Sequence, residues 1–172
     1  MEAPGTDSTI TVDACIINYY LSFKSTKKSP RGLSIDDIRY ISKNIIEKYP
    51  IAVNPFIRGE YESLCGPEVI KNLFNIRVRE ELLFPVPIGT LNRGLVKRLR
   101  IDYGFDEHSR DAKYIKTCYK TIFKRLITQN RKDFDCIPFS KRGPRMGTLL
   151  NRYFEIEIFD IKRACTRFKN AS

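Results

Sequence analysis

The segment after Ser109 carries the clearest helical pattern in the chain. Ser109 is a favourable N-cap residue, and Asp111 adds a negative charge to the first turn. Apolar residues then recur every three or four positions, which places them on one face of an α-helix that must pack against a core. The residues of this stripe are Ala112, Ile115, Cys118, Tyr119, Ile122 and Leu126. We therefore predict an amphipathic helix in this segment.

The opposite side of this predicted helix carries a row of positive charge. At about 100° per residue, four lysines fall together there. They are Lys113, Lys116, Lys120 and Lys124. Like charges at this spacing repel one another, so a bound anion would relieve the repulsion. A solvated outer face is the alternative interpretation of the row.

Positive charge is concentrated in the second half of the sequence. The formal net charge of the 172 residues is +11. Residues 1–86 contain eleven Lys or Arg and eleven Asp or Glu, whereas residues 87–172 contain twenty and nine, so the second half carries the whole excess. We expect a neutral scaffold up to about residue 86 and a basic binding half from about residue 87.

The basic half also contains aromatic residues, a combination typical of proteins that bind nucleic acid. Lys and Arg contact phosphates, and exposed aromatic rings stack on unpaired bases. The predicted nucleic-acid-binding residues are Arg93, Lys97, Arg98, Lys113, Lys116, Lys120, Lys124, Lys141, Arg142 and Arg145, with Tyr114 and Phe139 as stacking partners. We expect the ligand to be nucleic acid, with RNA favoured over DNA, bound mainly through its phosphates.

Several classes of site are excluded by residues that the chain lacks or scatters. His108 is the only histidine, so a zinc site with two histidines cannot be built within one chain. The five cysteines include no CxxC pair, which argues against a disulfide framework and a cysteine-rich zinc site. The sequence shows no secretory signal and no apolar run of about 18 residues. We therefore expect a cytoplasmic or nuclear protein without a transmembrane segment, metal or cofactor.

The remaining patterns predict a flexible leader over residues 1–10 and a single compact α+β domain over 11–172. We expect three or four helices and a small antiparallel sheet. Ser34, followed three residues later by Asp37, forms a capping pattern that begins a helix. The elements expected besides the helix after Ser109 are a helix over 35–48, a short helix from Pro67, strands over 76–84 and 154–158, and a helix or buried strand over 10–23.

Two other functions fit parts of the sequence. Asp160-Ile161-Lys162 fits one half of a metal-dependent nuclease site, in which carboxylates hold Mg²⁺ and a lysine orients water or phosphate. A scaffold of the viral matrix type would bind anionic membrane surfaces through the same cations and would also bind protein partners. Our leading hypothesis is a non-enzymatic protein that binds nucleic acid, with RNA favoured, comparable in composition with viral RNA-binding or accessory proteins. Its neutral half would serve as a scaffold or as a self-association surface.

Overall fold

The computed structural model describes residues 8–30 and 32–169. Within these ranges the helices are α1 (Ala14–Thr26), α2 (Ile35–Tyr40), α3 (Pro55–Cys65), α4 (Pro67–Arg79), α5 (Arg93–Tyr103), α6 (Arg110–Lys120), α7 (Arg131–Phe134), α8 (Met146–Phe154) and α9 (Ile161–Lys169). The strands are β1 (Thr11–Val12), β2 (Ile51–Val53), β3 (Leu83–Pro85), β4 (Arg125–Ile127) and β5 (Glu157–Phe159). Helix α2 continues as a π-helix over Ile41–Ile46.

Every strand pairing in the described part of the chain is parallel. β1 pairs with β4 and β4 with β5, while β2 pairs with β3. A parallel bridge between Ile10 and Ile51 joins the two groups, which gives the spatial order β3-β2-β1-β4-β5. The chain therefore adds β2 and β3 on one side of β1, and then crosses to add β4 and β5 on the other side.

The expectation of three or four helices with an antiparallel sheet is wrong. Residues 8–30 and 32–169 form nine α-helices, and helices connect the successive strands so that each strand returns in the same direction. The strands are only two or three residues long, too short to show an alternating apolar pattern. The fold is thus a mixed one of helices with small parallel sheets.

One hydrophobic core receives residues from both halves of the chain. It extends from Ile10 in the first half to Phe168 in α9. The fully buried side chains include Ile16, Ile45, Ile57, Leu99 and Leu150. Of the leader expected over residues 1–10, residues 1–7 lie outside the described part, whereas Ile10 is buried and belongs to the sheet. No helix within residues 8–30 and 32–169 is long and apolar enough to cross a membrane.

Two predicted helix starts are confirmed. The backbone N–H of Asp37 donates to the Ser34 hydroxyl at 3.0 Å, and that of Ala112 donates to the Ser109 hydroxyl at 3.1 Å. The helix over 35–48 is present as α2 and the π-helix that follows it. These segments were predictable because a local capping contact and a regular stripe define them.

The predicted helix after Ser109 ends earlier than its stripe. Thr121 adopts an extended conformation after Lys120, and its hydroxyl donates to the carbonyl of Cys118 at 2.8 Å. Ile122 is consequently 64% exposed, and Lys124 lies just before β4 instead of on the helix. The predicted row of four lysines on one helix face therefore lacks its last residue, Lys124.

Three other predictions require correction. The strand expected over 76–84 is helical up to Arg79 and extended only from Leu83. In the segment 154–158, Phe154 still belongs to α8 and the strand begins at Glu157. The segment 10–23 contains both a strand and a helix, because the chain turns from β1 into α1 at Asp13.

The buried side chain of Arg77 connects the end of the π-helix with the segments that precede β2 and β3. Its side chain is buried, with 3% of the residue exposed, and its guanidinium donates to the carbonyls of Ile46, Tyr49 and Leu82 at 2.5, 2.8 and 2.9 Å. The carbonyl of Ile46 lies at the end of the π-helix and that of Tyr49 lies before β2. The carbonyl of Leu82 lies before β3 and also accepts the backbone N–H of Ile51 at 2.9 Å. Burial lowers the pKa of this guanidinium, which is the expected direction for a buried cation.

Candidate functional site

The strand order reverses between β1 and β4, and this point marks the candidate site. β2 and β3 lie on one side of β1, and β4 and β5 lie on the other. In open parallel sheets, ligands bind outside the carboxyl ends of the strands at such a reversal, because the connections leave a crevice there. Asp13 follows β1 directly, and Thr128 follows β4. Their side chains therefore lie at the position where a ligand is expected.

The carboxylate of Asp13 is fixed in this crevice. The Thr128 hydroxyl donates to its Oδ2 at 2.6 Å, and the Cys15 thiol donates to the same oxygen at 3.3 Å. Burial and the charge of Asp13 raise the pKa of the Cys15 thiol to about 12, so this thiol stays protonated and remains a donor. The backbone N–H of Asp13 donates to Ile127 at 2.9 Å, which ties the residue to β4.

Tyr114 leaves this carboxylate available to the crevice. Asp13 occupies the N-cap position of α1, yet its side chain makes no capping hydrogen bond. The hydroxyl of Tyr114 accepts the N–H of Ala14 instead, at 3.2 Å. Tyr114 is only 2% exposed, so it belongs to the core beneath the site and cannot stack on a base. The carboxylate of Asp13 can thus interact with a ligand.

An acidic cleft of about 490 Å³ opens at this point. Its charged lining comes from four separate segments that the fold brings together: Asp13 after β1, Glu60 of α3, Arg110 and Asp111 of α6, and Asp133 of α7. Asn130 adds an amide between β4 and α7. The cleft is therefore strongly polar and carries an excess of negative charge.

Arg110 is the one cation among the described residues that line the acidic cleft. It donates through two nitrogens to Oε2 of Glu60, with Nε at 2.6 Å and Nη2 in close contact. The Glu60 side chain is 17% exposed and that of Arg110 is 72% exposed, so the guanidinium covers the carboxylate from the solvent side. One positive charge thus faces four carboxylates.

The pKa of Asp111 reflects this excess of negative charge in the acidic cleft. Burial raises the pKa of its carboxyl above the ordinary value, and the negative charges of Asp133 and Asp13 raise it further. Arg110 acts in the opposite direction but does not cancel them. A divalent cation in the acidic cleft would remove this electrostatic cost.

A cation would complete its coordination from outside the protein. Within residues 8–30 and 32–169, no three His, Cys, Asp or Glu side chains stand close enough to hold a metal ion. Mg²⁺ is often bound through one or two carboxylates, while water and substrate phosphates fill its other positions. Because no three of the described carboxylates stand close enough, at most two of Asp13, Asp111 and Asp133 could hold such an ion, and Arg110 engages Glu60.

The predicted cations are distributed over several surfaces. Arg93, Lys97 and Arg98 are exposed on α5, where Arg98 also pairs with Asp102 at 3.4 Å. Lys141, Arg142 and Arg145 are exposed in the loop before α8, where Arg145 donates to the carbonyl of Asp135 at 3.0 Å. These two groups keep the surface position that phosphate binding requires.

The lysine row of α6 is mostly engaged within the protein. Lys113 lies 4.8 Å from the ring centroid of Phe56, and Lys116 donates to the carbonyl of Glu107 at 2.8 Å. Lys124 forms an ion pair of 2.8 Å with Glu155. Of the four lysines, Lys120 is exposed and the other three are partly buried.

The proposed nuclease motif around Asp160 serves a structural purpose. Asp160 precedes α9 and accepts the backbone N–H of Arg163 at 2.9 Å, so it caps that helix. Lys162 is exposed on α9. Glu157 pairs with Arg125 at 3.1 Å across β4 and β5. The acidic cleft is lined by other residues.

Sequence reasoning missed the carboxylates of the acidic cleft. Asp13, Glu60, Asp111 and Asp133 are separated by 22 to 51 positions, and no local spacing connects them. The one available signal was an aspartate at the end of a short apolar run, at Asp13. No protein-family model matches this sequence, and a search of curated proteins finds no significant match.

Proposed function

We propose that this protein cleaves nucleic acid, with RNA as the substrate, by divalent-metal-assisted hydrolysis in the acidic cleft. The observation that carries the proposal is the position of Asp13. Its carboxylate is fixed by Thr128 at the reversal of the strand order, and Glu60, Asp111 and Asp133 line the same cleft. A cluster of carboxylates with one exposed cation is suited to a divalent ion and a phosphate.

The residues of the acidic cleft divide into distinct roles in this proposal. A divalent ion would supply an activated water and charge stabilisation on the phosphate. Asp13, directly after β1, and Asp133, in α7, would hold the ion, and Asp111 would add to the negative charge of the cleft. Arg110 lies at the mouth, where its exposed guanidinium can reach a phosphate. Thr128 acts as a positioning residue through Asp13.

In this proposal the exposed cations supply the affinity for nucleic acid. Arg93 and Lys97 of α5, with Lys141 and Arg142 of the loop before α8, present positive charge to solvent. Phosphate contacts by such residues add affinity that does not depend on base sequence and that falls with salt. The RNA-binding hypothesis from the sequence therefore stays part of the proposal. The acidic cleft adds catalysis, which the sequence had suggested only at Asp160 and Lys162.

A cleavage assay tests this proposal. End-labelled single-stranded RNA, duplex RNA and single-stranded DNA are incubated with the protein in Mg²⁺, in Mn²⁺ or in EDTA. We expect cleavage of RNA only with a divalent ion, and loss of at least about a hundredfold in rate for Asp13→Asn, since such groups act directly on the reacting centre.

Glu68→Gln provides the matched control. Glu68 is an exposed carboxylate on α4, outside the acidic cleft, so its loss should leave the rate unchanged. Binding that weakens steeply with salt, without any cleavage in either metal, would support the non-enzymatic RNA-binding hypothesis. Binding to anionic vesicles that RNA does not displace would support the membrane scaffold instead.

A further inference from the structure

Phe139 is a large aromatic side chain that the fold exposes and yet holds in place. It is 71% exposed, more than any other large apolar residue in the described part of the chain. Its backbone N–H donates to the carbonyl of Asp102 at 2.8 Å, which fixes the loop to the end of α5. The preceding residue, Pro138, is buried. An exposed ring on an anchored backbone is a feature of binding surfaces.

The ring lies against the backbone at Gly104. Gly104 ends α5 with a positive φ of 69°, and a Cβ built there would lie 2.8 Å from Cζ of Phe139. Only glycine permits this approach, because any side chain would displace the ring. The backbone therefore supports one part of the ring, and most of the rest faces solvent.

Exposed cations follow the ring in the same loop. Lys141 and Arg142 follow Phe139 by two and three residues, and both are exposed. Arg98 lies on the same end of α5, paired with the Asp102 whose carbonyl holds Phe139. An exposed aromatic ring with cations beside it matches the chemistry of a nucleotide, which joins a flat base to a phosphate.

The acidic cleft and a smaller cavity share part of their lining. The smaller cavity, of about 150 Å³, is lined by Gly104 and also by Ser109, Asp111 and Asp133. Ser109, Asp111 and Asp133 also line the acidic cleft, and Gly104 contacts the ring of Phe139. Residues that line this smaller cavity therefore border both the acidic cleft and the ring of Phe139.

We propose that Phe139 is a stacking subsite for an unpaired base of single-stranded nucleic acid, with the neighbouring phosphate on Lys141 and Arg142. This inference rests on the proposed function for the class of ligand, but it concerns binding and not cleavage. A base inside a duplex is covered by its neighbours on both faces, so the subsite selects single strands.

The experiment uses single-stranded RNA that contains 2-aminopurine, in EDTA so that no cleavage occurs. Stacking on the ring should quench the fluorescence of the wild-type complex. We expect Phe139→Ala to lose the quenching and to weaken single-strand binding about tenfold, which is within the range for one stacked base, while duplex affinity is unchanged. Phe139→Tyr should retain both properties, because its ring also stacks.

Ile137→Ala is the matched control, because Ile137 is an exposed apolar residue of the same loop. It should bind like the wild type. Wild-type affinity and quenching in Phe139→Ala, an equal loss in Ile137→Ala, or no binding of RNA by the wild type would overturn the proposal. Loss of quenching in Phe139→Ala without any metal-dependent cleavage by the wild type would retain the subsite and reject the nuclease. Cleavage by the wild type with unaltered binding by Phe139→Ala would retain the nuclease and reject the subsite.

Discussion

The hydroxyl of Thr128 donates a 2.6 Å hydrogen bond to the carboxylate of Asp13 across 115 residues of sequence. This bond joins the ends of β1 and β4, the two strands between which the sheet order reverses. It also fixes the carboxylate on which the proposed metal site depends. In the proposed function, this pair of side chains connects the strand reversal to the carboxylate of the acidic cleft.

Replacement of Thr128 by Val tests that connection. Val keeps the volume of the buried side chain but removes the donor, so we expect a loss of about 1 kcal/mol in the free energy of unfolding. Metal-dependent cleavage should fall at least tenfold, since Asp13 would no longer be held in one orientation. Thr128→Ser, which keeps the hydroxyl, should restore most of the rate. Equal rates in Thr128→Val and the wild type would show that the bond has no part in the reaction.

Arg110→Gln should increase the affinity of the acidic cleft for Mn²⁺. The guanidinium engages Glu60 through two nitrogens, and its charge opposes the entry of another cation. We expect a severalfold lower dissociation constant for Mn²⁺, measured by titration calorimetry without substrate. The free energy of unfolding should change by less than about 1 kcal/mol, because the arginine is largely exposed. Unaltered or weaker Mn²⁺ binding would contradict the competition described here.

Asp111 should make the protein less stable as the pH rises. Burial and the charges of Asp133 and Asp13 raise the pKa of this carboxyl in the fold above its value in the unfolded chain, near 3.8. The folded state then binds the proton more tightly, so the free energy of unfolding decreases with pH between the two values and stays lower above them.

Urea unfolding across that pH range measures this effect. Asp111→Asn removes the titrating group, so its stability relative to the wild type should grow as the pH rises through the pKa of Asp111 and then level off. Saturating Mn²⁺ at neutral pH should reduce the difference, because the ion compensates the same charges. A constant difference across the range would exclude Asp111 as the strained group.

Arg77→Met should destabilise the fold by about 3 kcal/mol, since the carbonyls of Ile46 and Tyr49 would lose this donor. The carbonyl of Leu82 would keep only the N–H of Ile51. Arg77→Lys should recover little of this loss, because a single ammonium cannot reach all three carbonyls in the way that a planar guanidinium does. Urea denaturation of the two variants and the wild type measures both effects. A lysine variant as stable as the wild type would show that the charge matters more than the geometry.

The sequence predicted those features that are encoded locally. The caps at Ser34 and Ser109 were predictable because the donor lies three residues from the acceptor. The parallel sheet was not, since strands of two or three residues carry no periodic signal. The acidic cleft was not predictable either, because only the tertiary fold brings Asp13 and Asp133 together.

The predicted binding residues also divide into those whose exposure follows from their own chemistry and those whose exposure is determined by the tertiary fold. Exposure of a charged group such as Lys141 follows from its chemistry, and the structure leaves it on the surface. Tyr114 is buried, and its hydroxyl accepts the N–H of Ala14, a partner 100 residues away. Phe139 is exposed for a reason equally remote from its own segment, since its loop is fixed to α5 and Gly104.

A time course of cleavage of labelled single-stranded RNA by the wild type and by Asp133→Asn, purified in parallel, tests catalysis in the acidic cleft most directly. We expect fragments from the wild type in Mn²⁺ and none from the wild type in EDTA. We also expect none from an Asp133→Asn protein that keeps a native circular dichroism spectrum. Equal cleavage by both proteins would assign the activity to a contaminant or to another site. Intact RNA in every lane would show that the acidic cleft does not hydrolyse RNA.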